Sequence, residues 1–172
     1  MVIKPAVEML APRERLGPAG KPKVPARVYA LDKTDVEGSS EVVEGTLLVT
    51  GKPAKVLIDP GSMHSFIRPR LMKGTNLKLE TLPYTVEVST PTWKQTIESD
   101  KLFWECEIRI GEKIFLIDLI SLGIHGYDVI LGMDLLAKQY VYINCRTKEV
   151  SLCLPGEPIL NLNFQKAPKH LE

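Results

Sequence analysis

The sequence predicts an all-β, mainly antiparallel domain, closed or sandwiched, with one or two short helices. Three observations carry that expectation. Short runs rich in Val, Ile, Leu and Thr recur along the middle of the chain, bounded by Gly, Pro and charged turn residues. Several of these runs alternate apolar and polar side chains, the period of two that lays one face of a strand on a core. Only "RPRLMKG" and "MDLLAKQ" have the length and composition for a helical turn or two.

Residues 1–26 are expected to form a flexible linker. The stretch "APRERLGPAGKPKVPAR" mixes Pro, Gly and basic residues with few large apolar ones, too few to offset the entropy of ordering it. The domain proper is expected over 27–155. "EVVEGTLLVTG" and "KPAKVLID" are strands joined at Thr50-Gly51-Lys52, a hairpin signal. "YTVEVS", Tyr84 to Ser89, alternates, and after "TPTWKQ" the chain returns through "TIES". "ECEIRI" puts Cys106, Ile108 and Ile110 on one face and Glu105, Glu107 and Arg109 on the other. "GEK" turns into "IFLIDLIS", a run apolar enough for burial on both faces. "YDVILG" reads as a short buried strand, and "YVYINC" and "EVSLCL" flank the turn "RTKE" as a last hairpin. The tail, 156–172, holds "ILNLNF", which alternates and suits an edge strand, and closes on Leu171-Glu172, expected to be a vector remnant.

Composition narrows the function classes. A chain of 172 residues suits one domain with room for a tail. With 22 basic and 21 acidic residues the net charge is +1, which gives no electrostatic basis for nucleic acid or a membrane surface. Cys106, Cys145 and Cys153 are odd in number and lack metal-ligand spacing, so reduced and mostly buried thiols in an intracellular, cytoplasmic protein are expected. No His/Cys cluster suggests a metal, and no cofactor motif is present. "MVIKPAVEML" carries Lys4 and Glu8 where a secretory signal would be apolar. "IFLIDLISLGI" is interrupted by Asp118 and is too short to span a bilayer.

The chemistry concentrates in "KVLIDPGSMHSFI", Lys55 to Ile67. Asp, Pro and Gly are turn residues, so Asp59-Pro60-Gly61 taken alone is a surface turn between strands. A second stretch, "YDVILGMDLL", changes that reading. Together and in this order the two resemble the retropepsin-like aspartic protease domain of plant gypsy-class LTR retrotransposon polyproteins. The matching residues are Asp59-Pro60-Gly61-Ser62, His64-Ser65-Phe66-Ile67 and Ile130-Leu131-Gly132-Met133-Asp134. "RVYAL", "VVEGTLLV" and "INCR" add to the likeness, which covers roughly 27–155.

The resemblance implies a closed retropepsin-like barrel, active as a two-fold dimer, and an aspartic endopeptidase that cuts its own polyprotein. Asp59 would be the catalytic carboxylate in a loop with Pro60, Gly61 and Ser62, supported by Ile130, Leu131 and Gly132. A flap in "VSTPTWKQTI", with Thr90, Pro91, Thr92 and Trp93 at its tip, would close over an extended polypeptide substrate. His64 is assigned no catalytic role. Only Asp59 is followed by the Asp-x-Gly pattern; Asp118, Asp128 and Asp134 lack the following glycine. A two-carboxylate mechanism therefore needs a second copy of the chain, which agrees with the implied homodimer. Two departures stand out: Pro60 replaces the family's Ser or Thr, and Leu135 replaces a frequent Trp. Pro60 keeps a second reading open, a weak or inactive protease-like module for dimerisation or peptide binding. A third reading is a β-rich structural domain with Asp59 in a plain turn.

Overall fold

The computed structural model describes residues 21–28, 43–89 and 96–163. Eleven strands are described: β1 (Lys23–Arg27), β2 (Val43–Val49), β3 (Lys52–Ile58), β4 (Phe66–Ile67), β5 (Leu79–Ser89), β6 (Ile97–Ile110), β7 (Lys113–Ser121), β8 (Val129–Leu131), β9 (Val141–Asn144), β10 (Glu149–Leu152) and β11 (Leu160–Asn163). Two helical turns accompany them, a 3-10 turn over Pro69–Met72 and α1 over Met133–Leu136. They fall on the two stretches from which the sequence predicts helix.

The main sheet runs β1-β5-β6-β2-β3-β8-β4-β7, and a further pairing of β6 with β7 joins it to itself. The ring β6-β2-β3-β8-β4-β7 is thus a closed six-stranded barrel, with β5 and β1 extending from β6 as a ledge. Closure leaves no free edge within the ring. The β2–β3 hairpin closes through Thr50 and Gly51, with φ of 51° and 78°. Positive φ at both central residues is the two-residue turn that matches strand twist, and glycine takes it without strain.

Two hydrophobic clusters divide the interior. Val43, Val49, Val56, Ile58, Ile67, Ile108, Leu119, Val129 and Leu131 build one, together with Leu135, Val150 and Leu152. Leu57, Phe66, Leu102, Ile120 and Ile130 build the other, together with Val24, Ala26, Val28, Tyr84, Val86 and Val88. β3, β4 and β8 send alternate side chains into both, which is why "VLI", "FI" and "VIL" are unbroken apolar runs.

Four expectations are corrected. β7 is not buried on both faces throughout: Phe115, Ile117 and Leu119 face the core, while Ile114 and Leu116 are 50% and 58% exposed. The first half of the strand lies in the barrel wall with one face in and one out, and burial on both faces is reached only at Leu119 and Ile120, which enter the two clusters. The linker does not run to residue 26, because Lys23–Arg27 pairs in parallel with Thr85–Ser89 and buries Val24 and Ala26. Alternation inside a Pro-rich stretch was the overlooked signal. The cysteines are unpaired, but only Cys106 is buried; Cys145 and Cys153 are exposed. Packing in the barrel pushes the Cys106 thiol up to about 12, an inert thiol. Finally, the domain does not stop at 155. β11 pairs antiparallel with β10 to complete a three-stranded sheet with β9, as the alternation of "ILNLNF" suggests. Leu160 packs against Gly111 in the β6–β7 turn, and Lys113 pairs with Glu157, so this sheet leans on the barrel.

The two faces of β7 make a paired prediction. Leu119→Ala should cost about 2–5 kcal/mol in denaturant unfolding, whereas Leu116→Ala should stay within about 0.5 kcal/mol. Comparable losses at both positions would show that the outer face of β7 is covered.

Candidate active site

β3 delivers Asp59 and β8 holds it. The two strands run parallel with Ile58 opposite Leu131, and the Asp59 amide donates to the Leu131 carbonyl at 2.9 Å. Beyond that bond the chain turns. The Ser62 amide donates to the Asp59 carbonyl at 3.1 Å, and the Gly61 amide to Asp59 Oδ1 at 3.0 Å. The carboxylate therefore braces its own turn, as Asp commonly does. Pro60 takes the second position, where its fixed φ suits the turn and no intrachain bond calls on the N–H it lacks. Asp59 is 5% exposed, low for a carboxylate.

The stretch after β8 ties the loop down. Gly132 passes under it so closely that a β-carbon there would lie 2.2 Å from the His64 carbonyl oxygen and 2.6 Å from that of Ser62. Only glycine fits. The Gly132 amide donates to Ser65 Oγ at 2.9 Å, and the Met133 amide to the Ser62 carbonyl at 2.7 Å. Ser65 Oγ in turn donates to Asp134 Oδ1 at 2.5 Å, and the Ser65 amide to Asp134 Oδ2 at 3.0 Å. Asp134 Oδ1 also accepts from the Leu135 amide at 2.8 Å. Ser62 Oγ donates to the His64 carbonyl at 2.7 Å. Ser62, His64 and Ser65 are all buried. The loop is a rigid knot of backbone and hydroxyl bonds.

Of the predicted site residues, Asp59, Pro60, Gly61 and Ser62 are one turn, and Ile130, Leu131 and Gly132 pass directly against it. Thr90 to Trp93, expected at a flap tip, lie outside the described residues; the strands on either side, β5 and β6, pair antiparallel from Val88–Ile97 onward. His64 is buried, edge-on to Phe66 with ring centres 6.4 Å apart, and its Nδ1 has no hydrogen-bond partner among the described residues. Burial holds its pKa below the usual histidine range. Among the described residues no His, Cys, Asp and Glu group could hold a metal.

Asp134 is the residue that sequence reasoning missed. It lacks the glycine a catalytic loop needs, but its carboxylate staples Ser65 and through it Gly132. Burial pushes its pKa up, against the pull of its hydrogen bonds. A carboxylate within the apolar "ILGMDLL" needed a partner, and that was the available signal. Asp128 and Asp118 also serve the backbone. Asp128 Oδ2 accepts from the Lys55 amide at 2.8 Å and its other oxygen lies 3.5 Å from Arg68, pinning the loop before β8. Asp118 Oδ1 accepts from the Glu105 amide at 2.9 Å, where a bulge in β6 forces Glu105 to a φ of 50°.

One chain thus presents one carboxylate on a glycine-turn at the end of two parallel strands. The family described as retroviral aspartyl protease matches residues 23–156. Among solved structures, the retroviral protease-like domain of Ddi1 from Leishmania major is 10% identical, with a TM-score of 0.51 over 70% of this chain and 94% of that one. EIAV protease complexed with the inhibitor HBY-793 is 14% identical, with a TM-score of 0.46 over 63% of this chain and 98% of that one. At these identities the first likeness concerns the fold. No curated protein sequence matches the chain.

The knot yields two predictions. Gly132→Ala should remove more than about 4 kcal/mol of stability or abolish folding, because backbone oxygens cannot yield to its methyl; a variant with unchanged thermal midpoint would show that β8 can shift. The second concerns pH. The folded chain binds a proton at His64 less readily than the unfolded chain, whose histidine titrates near 6.5. Stability should therefore fall as pH drops through that value toward the lower folded pKa, and level off below it. Unfolding of His64→Gln should lose this slope between pH 6.5 and the folded value; an identical slope in both proteins would assign it to other groups.

Proposed function

The chain belongs to the retroviral aspartyl protease family, and from that premise we propose that two copies of it assemble into an aspartic endopeptidase. The observation that carries the reading is Asp59 itself: a carboxylate braced by Gly61 in a turn that β8 locks at Leu131 and Gly132. Across a two-fold axis the Asp59 of each copy faces the other. Two carboxylates about 3 Å apart share one proton, because both cannot be ionised at that distance. The ionised partner takes a proton from the attacking water, and the protonated partner hydrogen-bonds the peptide carbonyl. The proton then passes to the leaving nitrogen. Substrate lies extended between the β5–β6 arms and the floor, pairing through its main chain. The likeness of "DPGSMHSFI" and "VILGMDLL" to plant gypsy-class retrotransposon domains points to the chain's own polyprotein as substrate, cut inside the cell.

Pro60 favours a second reading. In the family's usual loop a Ser or Thr hydroxyl reaches across the two-fold axis, and proline has none. Each such bond is worth on the order of 1 kcal/mol net, and symmetry counts it twice. Pro60 satisfies its own turn but offers nothing to a partner's, so the dimer is weaker than the family pattern would give. In the limit the chain is a peptide-binding module without hydrolysis.

The deciding experiment incubates the protein with a denatured, unrelated protein from about pH 4 to about pH 7, beside Asp59→Asn. The parent should cut with a bell-shaped, acid-side profile, more than linearly in enzyme concentration, and Asp59→Asn should not cut. Equal cleavage by both would end the hydrolase reading. Pro60→Thr should tighten the dimer about tenfold or more in sedimentation and raise activity at low concentration. A looser dimer in that variant would show that proline fits the interface.

A further inference from the structure

The strand β1 is an edge strand of the main sheet. It pairs in parallel along the open edge of β5, the strand before the expected flap segment. The ladder is extended at both ends: the Thr85 amide donates to the Pro22 carbonyl at 2.8 Å and the Val28 amide to the Ser89 carbonyl at 3.0 Å. Val24, Ala26 and Val28 point inward and are buried, in one cluster with Val86 and Val88 of β5 and with Leu57, Phe66 and Ile130. Leu57 and Ile130 face each other across the β3–β8 pair, one residue before Ile58 and Leu131, which hold Asp59. The inward face of the strand therefore shares one buried cluster with side chains of β5, β3, β4 and β8.

Its attachment is that of a ligand. Val28 gives its N–H to β5, so by alternation Pro25, which has none, faces the outer edge and costs the ladder nothing. Two side-chain bonds add to the ladder, Lys21 Nζ donating to the Leu82 carbonyl at 3.1 Å and Ser89 Oγ to the Ala26 carbonyl at 3.4 Å. The other ties are solvent-exposed ion pairs, Lys23 to Glu98 at 2.5 Å and to Glu87 at 3.7 Å, and Lys21 to Asp100 at 2.5 Å. Such pairs are individually weak and screened by salt. Alternate small aliphatic side chains pointing in, a main-chain ladder to one edge and polar residues pointing out are the marks of strand addition.

We propose that β1 is an intramolecular occupant of the peptide channel. The channel takes extended segments running parallel to β5, with small aliphatic side chains at alternate positions, and the chain's own "KVPARV" fills it first. This rests on the peptide-cleaving reading for its consequence, since an external substrate must displace β1, but the docking stands on its own ladder and packing. If β1 leaves the channel in about one molecule in ten, external peptides bind about tenfold more weakly than to an open channel.

The test uses the full chain with two substitutions. Ala26→Glu places a charge in the buried position, and Lys23→Glu reverses the exposed tie. Fluorescence anisotropy with a labelled peptide of sequence KPKVPARV reads channel access. Both variants should bind the peptide up to about tenfold more tightly than the parent. Amide exchange provides a measurement on the unaltered chain: excess unlabelled peptide should strip protection from Val24, Ala26 and Val28 while β6 and β7 keep theirs. Equal peptide affinity in parent and folded variants, or β1 amides that stay as protected as the barrel under saturating peptide, would overturn the proposal. Should Ala26→Glu unfold the barrel, β1 is a fixed structural strand, which the exchange experiment would also report. Tighter peptide binding in the variants with no cleavage by any of the proteins would refute hydrolysis and leave the docking intact.

Discussion

The absence of a single β-carbon organises this domain. At Gly132 the chain leaves β8 and passes beneath the carbonyls of Ser62 and His64 with no room for a methyl group. That approach lets the Gly132 and Met133 amides reach Ser65 and Ser62, and it brings Asp134 to Ser65. The Asp59 turn, the 62–65 loop and the start of α1 become one hydrogen-bonded unit. The barrel supplies the rest: parallel β3 and β8 arrive buried on both faces, so the unit cannot tilt without disturbing both clusters. The proton sharing proposed for Asp59 requires a carboxylate held to a fraction of an ångström, and packing alone does not give that precision.

Much of this was legible in the sequence because the local signals agree with one another. Turn residues at Thr50-Gly51 and "GEK", alternation in "ECEIRI", and the unbroken "VLI" and "VIL" each specify an element that the fold contains. Asp59 and Gly132 could be named because their neighbours form an ordered pair of motifs. What escaped was long-range. Nothing in "IFLIDLIS" tells a strand buried on both faces from one in a barrel wall with Ile114 and Leu116 outside. Nothing near Asp134 announces Ser65, a residue far away in the chain. Pro-rich composition masked the alternation of Val24 and Ala26, which becomes meaningful only beside β5.

The acidic residues show how one residue type divides its work. Asp59 accepts from the amide two residues on and presents its carboxylate at the turn. Asp134, Asp128 and Asp118 are spent on backbone amides that loops and bulges would otherwise leave without partners. None of the three follows the Asp-x-Gly pattern, and each serves a place where regular ladder bonds fail: Asp128 just before β8, Asp134 at the start of α1, and Asp118 opposite the bulge in β6.

Pro25 has a consequence for what the protein does in concentrated solution. A strand whose outer edge lacks a donor is a poor template for another strand, so the main sheet ends at β1. When β1 departs, the edge it covered belongs to β5, where Thr85, Glu87 and Ser89 turn their backbone groups outward with no proline among them and offer an uninterrupted row of donors and acceptors. The open channel and the sticky edge are the same surface. A molecule that frees its channel also becomes a seed for edge-to-edge association, so readiness to take up peptide and resistance to aggregation pull in opposite directions on one short strand.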